Sequence, residues 1–474
     1  MTRIRLGPFN RVEGDLEVLL DVEDGSVRAA RVNAPLFRGF EQLLAGRAPE
    51  DALTIVPRIC GICSVAQSAA AAAALAAAAG VRPPRNGELA RMLVQATENL
   101  ADHLSHFYLF FMPDFVHPAY AGRHWHGYIA TRFTALRGSA GDDLLPARAR
   151  LLNVMGFLAG RWPHTLALQP GGSTRAVTAG ERVRLRSLLR EVRAFAEGVL
   201  LGDTLEDFAA LATWPQLQAW AAGRRGDFPA FLGAAGDLGL ERIGRAGDNF
   251  ISFGAYDGLF PAGIRRPDGT VDAVDPTKIT EDARHAWLVD GEPLPPARGE
   301  TRVLVDKESA YTWCKAPRYA GEALETGALA RQLVAGTSLP CDLVARHGAS
   351  VTARVVARMV ELATVLPAMD GWVRELVPGE PFCVPAPLPD EAEAAGLVEA
   401  ARGSLGHWLR IERGRIAHYQ IVAPTTWNFS PRDRRGRPGP LELALVGLPA
   451  GDGAPPLVQH VVRSFDPCMV CTVH

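Results

Sequence analysis

The sequence predicts an α+β fold that is mainly helical, with a metal site assembled from both chain ends. Three observations support this prediction: strand-like segments near the N-terminus, several long helical segments after them, and one Cys-x-x-Cys pair at each end of the chain. The pairs are Cys60/Cys63 and Cys468/Cys471. Because two pairs together offer four soft sulfur ligands, they are typical of zinc, nickel or iron-sulfur sites rather than of calcium or magnesium sites.

The N-terminal region predicts a β-hairpin followed by a helix. Apolar and polar residues alternate over 16–22 and 27–32, and the turn-forming segment Glu23-Asp24-Gly25 separates them. The alanine-rich stretch that starts at Cys63 and stops at Gly80 has the boundaries of a helix. Since amides at a helix start favour the thiolate, we expect Cys63 to be a ready metal ligand.

Further along the chain, the pattern predicts more helices and one irregular region. Long helices are expected over 88–111, over 180–201 and from Ser350 onward, where apolar residues recur at helical spacing. Glycines and prolines over 244–299 predict an irregular insertion with short strands. Residues 1–474 are expected to form a single domain, because a site built from both chain ends argues against separable units.

Composition is that of a soluble globular protein. Hydrophobic residues make up 48% of the chain and the formal net charge is -2, so no nucleic-acid partner is expected. The longest apolar run, Ser68 to Ala79, is shorter than the ~20 residues that cross a bilayer, so no membrane span is expected. The opening Met1-Thr2-Arg3 has no signal-peptide character, and we therefore expect a cytoplasmic protein.

The cysteines have two simpler interpretations, a structural zinc site and a disulfide framework. Zinc ribbons place their pairs roughly 15 to 20 residues apart, whereas about 400 residues separate these two pairs. The total of seven cysteines is odd, and a chain of 474 residues needs no disulfides to fold. A site built for chemistry is favoured, and the other three cysteines are expected to be buried structural thiols: Cys314, Cys341 and Cys383.

The residues around the pairs resemble the two metal-binding signatures of the large subunit of nickel-iron hydrogenases. These are Arg58-Ile59-Cys60-Gly61-Ile62-Cys63 and Asp466-Pro467-Cys468-Met469-Val470-Cys471-Thr472-Val473-His474. Other segments resemble further motifs of the family in the same order: Arg11-Val12-Glu13-Gly14, Arg38-Gly39-Phe40-Glu41, Lys315-Ala316-Pro317-Arg318-Tyr319, the segment 400–408 around Arg402, and Pro424-Thr425-Thr426-Trp427-Asn428. The resemblance covers essentially the whole chain.

The resemblance implies a nickel-iron centre with carbon monoxide and cyanide on the iron, which cleaves H2 heterolytically. Cys60 and Cys468 would be terminal nickel ligands, and Cys63 and Cys471 would bridge nickel and iron. The proton would pass by way of Cys468 to Glu13, for which the simpler interpretation is an ion pair with Arg11.

A magnesium ion and a fixed positive charge are also implied by the resemblance. Glu41 and the C-terminal His474 would hold Mg²⁺, although His474 would otherwise be interpreted as a frayed terminus. Arg402, in a stretch of small residues that indicates a packed turn or helix start, would point at the metals, with Asp114 and Asp466 orienting it. The simpler interpretation of Arg402 is a buried structural ion pair. Three histidines are expected to be core residues without a catalytic role: His106, His164 and His407.

Gln67 indicates which branch of the family the chain resembles. Most catalytic members have histidine at this place, four residues after Cys63, and glutamine resembles the regulatory, hydrogen-sensing branch. The sequence ends at His474, without the C-terminal extension with which catalytic members are made, but a processed protein would end in the same way. The sensor assignment therefore depends mainly on Gln67 and on a closer likeness around Gly7-Pro8-Phe9-Asn10. Since no further set of four cysteines remains, iron-sulfur clusters are expected in a partner small subunit, and a sensor would also contact a histidine kinase.

Three alternatives stay open on the sequence. An energy-conserving uptake hydrogenase shares every ligand. A metal-free relative, such as the quinone-reducing subunit of respiratory complex I, would not need all four cysteines. A non-catalytic zinc protein remains possible for any chain with two Cys-x-x-Cys pairs.

Overall fold

The computed structural model describes residues 2–450 and 456–474 and confirms the α+β class. Helices supply most of the ordered backbone, and π-helical segments at His106–Phe111 and Ala196–Leu201 extend two of them. The helices are α1 (Phe40–Leu44), α2 (Ala52–Ile55), α3 (Ser64–Ala79), α4 (Arg85–Ser105), α5 (His126–Phe133), α6 (Ala140–Ala159), α7 (Ala179–Phe195), α8 (Leu205–Ala209), α9 (Trp214–Ala222), α10 (Asp227–Leu238), α11 (Ala328–Val334), α12 (Ser338–His347), α13 (Val351–Glu375), α14 (Pro424–Asn428), α15 (Pro440–Ala444), α16 (Pro456–Ser464) and α17 (Met469–Thr472).

The strands form small antiparallel sheets around the helices. Three sheets have three strands each, in the orders β1-β2-β3, β6-β7-β8 and β11-β12-β13, and β4-β5 and β9-β10 form two-stranded pairs. The strands are β1 (Thr2–Leu6), β2 (Glu17–Glu23), β3 (Ser26–Asn33), β4 (Leu168–Gln169), β5 (Gly172–Ser173), β6 (Phe250–Ala255), β7 (Phe260–Arg265), β8 (Val271–Asp272), β9 (Ile279–Asp282), β10 (Ala316–Tyr319), β11 (Ala392–Ala400), β12 (Gly403–Glu412) and β13 (Arg415–Val422).

The predicted N-terminal hairpin is confirmed. Strands β2 and β3 pair in antiparallel register, and the apolar side chains that alternate along β2, such as Val18 and Leu20, are fully buried. The prediction missed β1, which pairs with β2 and makes the hairpin a three-stranded sheet. Strand β1 alternates Ile4 and Leu6 with arginines, but it has only five residues and none of them is fully buried, so its signal is short and weak.

The predicted long helices are confirmed with small shifts of their ends. The helix expected over 88–111 corresponds to α4 and the π-helical segment that follows it. The helix expected over 180–201 corresponds to α7 and the π-helical segment that follows that helix. Ser350 starts α13 as expected, because its hydroxyl accepts the Ala353 N–H at 3.2 Å. In the described part of the chain, no helix is long and apolar enough to cross a membrane.

The alanine helix α3 is buried because small side chains let a strand approach it closely. It packs against β11, where a Cβ at Gly396 would lie only 2.0 Å from the Ala70 carbonyl oxygen. This contact fixes the position of the β11-β12-β13 sheet relative to the helix that follows Cys63.

The region of Arg402 differs from the sequence interpretation, whereas the irregular region with its short strands agrees with it. Arg402 lies in a tight turn between β11 and β12, so the packed turn is correct and the helix start is wrong. The sheet itself was not predicted, because β12 is buried on nearly every residue and lacks period-two alternation. The segment 244–299 contains four short strands, β6 to β9.

Candidate metal centre

The four paired cysteines meet in one buried cluster, although their pairs lie at opposite ends of the sequence. Their ligand atoms all lie within 4.8 Å of one another. Cys60 Sγ is 3.4 Å from Cys468 Sγ, and Cys471 Sγ is 3.0 Å from Cys63 Sγ and 3.2 Å from Cys468 Sγ. Four sulfur atoms at this spacing can coordinate a shared soft metal centre.

Local structure brings each pair to the cluster. Cys60 follows a 3₁₀ turn over Val56–Ile59, and Cys63 is the residue at which α3 begins. Cys468 precedes the short helix α17. Arg38 joins the two pairs, because its Nη2 donates to the carbonyl oxygens of Ile59 at 2.6 Å and Val470 at 2.5 Å.

The Arg-Val-Glu-Gly segment packs directly on the second pair. Glu13 forms a parallel β-bridge with Cys468, and the Met469 N–H donates to the Glu13 carbonyl oxygen at 2.7 Å. Gly14 adopts φ +81°, and a Cβ there would lie 3.0 Å from the Val470 backbone nitrogen. The segment therefore needs glycine at this position for both its conformation and its closeness to the cysteines.

The thiol chemistry of the cluster is set by sulfur–sulfur contacts rather than by the helix start. Hydrogen bonding from Cys468 holds the pKa of Cys60 well below its usual range, while hydrogen bonding to Cys468 raises the pKa of Cys63. The amides of Val65 and Ala66 donate to Glu98 at 2.8 and 2.9 Å. The amides at the start of α3 are therefore used by Glu98, and the expectation that they favour the Cys63 thiolate is wrong.

Arg402 lies beside the cluster in a fully buried set of charges. Its Nη2 donates to Asp102 Oδ1 at 2.9 Å and to Asp466 Oδ1 at 3.1 Å, and its Nε donates to the Asp466 carbonyl oxygen at 2.9 Å. Burial by itself lowers the pKa of Arg402, but the charges of Asp102 and Asp466, followed by those of Cys468 and Cys63, raise it well above its usual range. Arg402 is thus a fixed cation close to the sulfurs.

The expected pairing of Asp114 with Arg402 is wrong, and Asp102 occupies that role. Asp114 instead binds Arg11 and accepts from Arg463 Nη1 at 2.6 Å. The pairing of Arg11 with Glu13 is also wrong, because Arg11 uses its guanidinium on Asp114 and on the Phe110 carbonyl oxygen. Asp102 was missed because it lies inside the long helix α4, where the sequence gives no sign of which face meets the cysteines.

A second buried arginine holds the turn that carries Arg402. Arg331 donates from Nη1 to the Ala400 carbonyl oxygen at 2.8 Å and from Nη2 to that of Ala401 at 3.0 Å. It is held by Glu361, through hydrogen bonds of 2.9 Å to each oxygen, and by Glu399 at 2.7 Å. The sequence offered no signal for this network, since its members are far apart in the chain.

The turn also requires glycine immediately after Arg402. Gly403 adopts φ +126°, and a Cβ there would lie 2.6 Å from the Gly327 backbone nitrogen. The small residues noted in the sequence therefore allow the turn to pack against the segment before α11.

Glu41 and His474 meet as expected, at a second charged cluster. His474 Nε2 lies 3.2 Å from Glu41 Oε1, which also accepts the Ile421 N–H at 3.0 Å. Burial alone raises the pKa of Glu41, but the charge of Lys315 and the hydrogen bond from His474 lower it to about 2. His474 is buried, so its interpretation as a frayed terminus is wrong.

The surroundings of Glu41 fit a small hydrated cation. Lys315 Nζ lies 3.8 Å from Glu41 Oε2 and 3.4 Å from Glu281 Oε1. Within the described residues, Lys315 Nζ and both Glu281 carboxylate oxygens are buried without a hydrogen-bond partner of acceptable geometry. A cavity of about 20 Å³ lies among these side chains, and bound water or a hard cation would satisfy them.

Glu13 lies near the cluster through its backbone bridge to Cys468. Its side chain is partly buried, and burial together with the charge of Cys60 raises its pKa, while Arg402 and Arg38 lower it to a smaller extent. A carboxyl group with a raised pKa next to a cysteine ligand is a chemically suitable proton acceptor.

Gln67 faces the cysteines from α3. Its Nε2 lies 3.9 Å from Cys471 Sγ, and its Oε1 lies 2.8 Å from His407 Nε2. His407 therefore contacts a residue of the candidate site, which the sequence interpretation did not anticipate.

His106 is buried as expected, whereas His164 is only partly buried, so the expectation of a core residue is wrong for His164. His106 Nε2 contacts the Arg463 carbonyl oxygen at 2.6 Å, and His164 Nδ1 contacts that of Pro57 at 3.0 Å. Cys314 is buried, Cys341 is partly buried and Cys383 is exposed, so the expectation of a buried thiol is wrong for Cys383.

Together, the fold and the site define a metalloprotein with a buried tetrathiolate centre beside a fixed arginine. Residues 38–124 and 143–474 match the family described as nickel-dependent hydrogenase. The chain therefore belongs to the nickel-dependent hydrogenases, as a large subunit.

Individual relatives span the whole chain. It is 31% identical to the periplasmic [NiFeSe] hydrogenase large subunit of Desulfomicrobium baculatum, covering 100% of this chain and 95% of that protein. It is 27% identical to the hydrogenase-2 large chain of Escherichia coli, covering 97% of that protein. The structure of the oxidised Ni-Fe-Se hydrogenase from D. vulgaris Hildenborough superimposes with a TM-score of 0.86 at 30% identity, over 100% of both chains.

Proposed function

We propose that this large subunit cleaves H2 heterolytically at a nickel-iron centre and works as a hydrogen sensor. The observation that carries the proposal is the convergence of four cysteine sulfurs within 4.8 Å, beside the cation of Arg402. When bound, a nickel-iron centre with carbon monoxide and cyanide on the iron supplies the redox chemistry that accepts the electrons of H2. Cys60, Cys63, Cys468 and Cys471 would hold it.

Arg402 would place a positive charge and a hydrogen-bond donor beside the proposed centre. In the described structure its Nη1 is buried without a hydrogen-bond partner, although Nε and Nη2 are both used. An unpartnered guanidinium N–H is costly to bury, and an anionic ligand such as cyanide would satisfy it. Asp102 and Asp466 hold the group in place.

Glu13 would receive the proton released by H2. Its backbone is bridged to Cys468, and its raised pKa favours proton uptake closer to neutral pH than an ordinary glutamate. The proposed route thus runs from the sulfur of Cys468 to the carboxylate of Glu13 and then outward.

Glu41 and His474 would hold Mg²⁺ near the cluster. Within the described residues, Lys315 Nζ and the Glu281 carboxylate oxygens are buried without a hydrogen-bond partner. Water molecules on a hydrated Mg²⁺ would provide partners for these atoms, which supports the proposal. The ion would tie α1 to the C-terminal segment that carries Cys471.

Electrons must leave through another chain. After the four ligands, only Cys314, Cys341 and Cys383 remain, which is too few for an iron-sulfur cluster with four cysteine ligands. We therefore propose a small subunit with iron-sulfur clusters as the partner, which agrees with the description of the relatives as large subunits.

Gln67 supports the sensor role over that of an uptake enzyme. A neutral amide next to Cys471 can donate a hydrogen bond but cannot titrate near neutral pH. It would tune the centre without supplying a proton, as suits slow turnover and signalling to a histidine kinase in the cytoplasm. An uptake hydrogenase is the alternative, and the [NiFeSe] relative named above is described as periplasmic.

Metal analysis tests the hydrogenase proposal. The purified complex should contain nickel and iron and show infrared bands of carbon monoxide and cyanide. Zinc without nickel or iron would instead identify a structural zinc protein.

Turnover and signalling test the sensor proposal. The wild type should oxidise H2 slowly, and H2 should change the autophosphorylation of the kinase partner. Gln67→His should alter the rate or the infrared spectrum without improving the kinase response. Rapid wild-type turnover without a kinase response would support the uptake enzyme.

A further inference from the structure

Three buried side chains form a hydrogen-bonded chain that ends at a cysteine of the cluster. Tyr419 of β13 contacts His407 Nδ1 through its hydroxyl at 2.8 Å, and His407 Nε2 contacts Gln67 Oε1 at 2.8 Å. Gln67 Nε2 then lies 3.9 Å from Cys471 Sγ. All of these residues are buried, so water does not compete for the contacts.

The hydrogen bonds of this chain can run in only one direction without leaving a buried proton unsatisfied. Among the described residues, the Tyr419 hydroxyl has one hydrogen-bond partner, His407 Nδ1. If the hydroxyl accepted a hydrogen bond from Nδ1, its own hydrogen would be buried without an acceptor, which is unfavourable. The Tyr419 hydroxyl therefore donates, and Nδ1 accepts.

This direction determines the tautomer of His407 and the orientation of Gln67. With Nδ1 as acceptor, a neutral imidazole carries its proton on Nε2 and donates it to Gln67 Oε1. Burial lowers the pKa of His407 to about 3, so the ring is neutral at physiological pH. Gln67 then turns its amide nitrogen, rather than its oxygen, toward Cys471.

The opposite orientation of Gln67 would place its carbonyl oxygen against the sulfur. When Cys471 binds a metal its sulfur is a thiolate, so the oxygen and the sulfur would both be electron-rich and no hydrogen would lie between them. The amide flip would also require the other His407 tautomer, which leaves the Tyr419 hydrogen without an acceptor. The three residues therefore favour a single arrangement, with an N–H directed at the sulfur.

We infer that His407 and Tyr419 are positioning residues that lock the amide of Gln67 so that it donates to Cys471. Donation to a cysteine sulfur withdraws electron density from it and so changes the electronic character of a metal that it binds. The effect on the metals rests on the proposed function, in which Cys471 is a ligand. The tautomer of His407 is inferred from its contacts with Tyr419 and Gln67 and is independent of the proposed function.

The test combines the His407 tautomer with the spectrum of the centre. Solid-state NMR of the complex with nitrogen-15 histidine should show Nε2 protonated and Nδ1 unprotonated at His407, with the signal assigned by its loss in His407→Gln. Tyr419→Phe should produce a mixture of tautomers and shift the carbon monoxide and cyanide bands, while nickel and iron content stays at the wild-type level.

Tyr120→Phe is the matched control. It removes a buried tyrosine–histidine contact of 3.1 Å, to His460, which packs among Phe111 and Phe115 instead of against Gln67. The infrared bands and the His407 tautomer should stay unchanged in this variant.

Distinct results separate the failure of this inference from that of the proposed function. Protonated Nδ1 in wild-type His407 would overturn the inference even if Tyr419→Phe did not fold. Unchanged bands in a loaded Tyr419→Phe complex would also overturn it. A wild-type complex without nickel and iron would refute the proposed function, and the tautomer measured in that protein would still test the orientation of Gln67.

Discussion

Glu361 offers the most quantitative prediction, because its charge supports the turn that carries Arg402. The carboxylate is fully buried and accepts hydrogen bonds from Arg331 at both oxygens, and His103 Nε2 lies 3.1 Å from Oε1. Burial alone raises the pKa of Glu361, but the charge of Arg331 and the contact with His103 lower it from 4.5 to about 2. A lowered pKa means that the folded protein favours the ionised form.

The lowered pKa of Glu361 predicts how much its charge stabilises the folded protein and over which pH range it does so. The difference between 4.5 and about 2 corresponds to about 3 kcal/mol of folding free energy. This contribution is fully present above pH 4.5 and disappears as the pH falls toward about 2, where the folded carboxyl is protonated. Glu361→Gln, which keeps the size of the side chain but cannot ionise, should lose about 3 kcal/mol at neutral pH.

Urea unfolding of wild type and variant across this pH range measures the effect. The stability difference should be largest at neutral pH and shrink as acid protonates wild-type Glu361. Glu375→Gln is the control, because its ion pair with Arg85 is about half exposed and should contribute at most about 1 kcal/mol. A Glu361→Gln difference below about 1 kcal/mol, or one that does not vary with pH, would refute the reasoning.

Three further predictions concern the site itself. Cys471→Ser replaces a soft thiolate with a hydroxyl and should abolish binding of nickel and iron, measured by elemental analysis; retention of both metals would remove Cys471 from the ligand set. Glu13→Gln should keep both metals but suppress hydrogen–deuterium exchange, and unchanged exchange would mean that the proton leaves by another route. Arg402→Lys keeps the charge but loses the planar set of donors, so H2 oxidation should fall about 10- to 100-fold, while a normal rate would make Arg402 structural.

The sequence was sufficient for the helices and the cysteine cluster because their signals are local or chemically distinctive. Helix α13 has apolar residues at helical spacing after a capping serine, and two Cys-x-x-Cys pairs leave few chemical alternatives. The sheet of β11, β12 and β13 was missed because its central strand β12 is buried on both faces, and such a strand lacks alternation.

Of the two carboxylates that bind Arg402, Asp466 was predicted correctly, but Asp102 was not. Asp102 and Asp114 are both buried acidic residues near the end of the same helical segment. Which of them reaches Arg402 depends on how α4 rotates against the β11-β12 turn, and this rotation is determined by tertiary packing. The same holds for His407, whose contact with Gln67 joins β12 to α3.

The distance in sequence between the two halves of the cysteine cluster has a consequence for folding. Cys60 and Cys468 are 408 residues apart, and closing a flexible loop of that length costs about 5 kcal/mol of chain entropy. Folding must therefore bring the chain ends together before four sulfurs can bind one centre. Metal bound there would act as a cross-link over most of the polypeptide, so that loss of metal would make unfolding easier across the whole subunit as well as ending its chemistry.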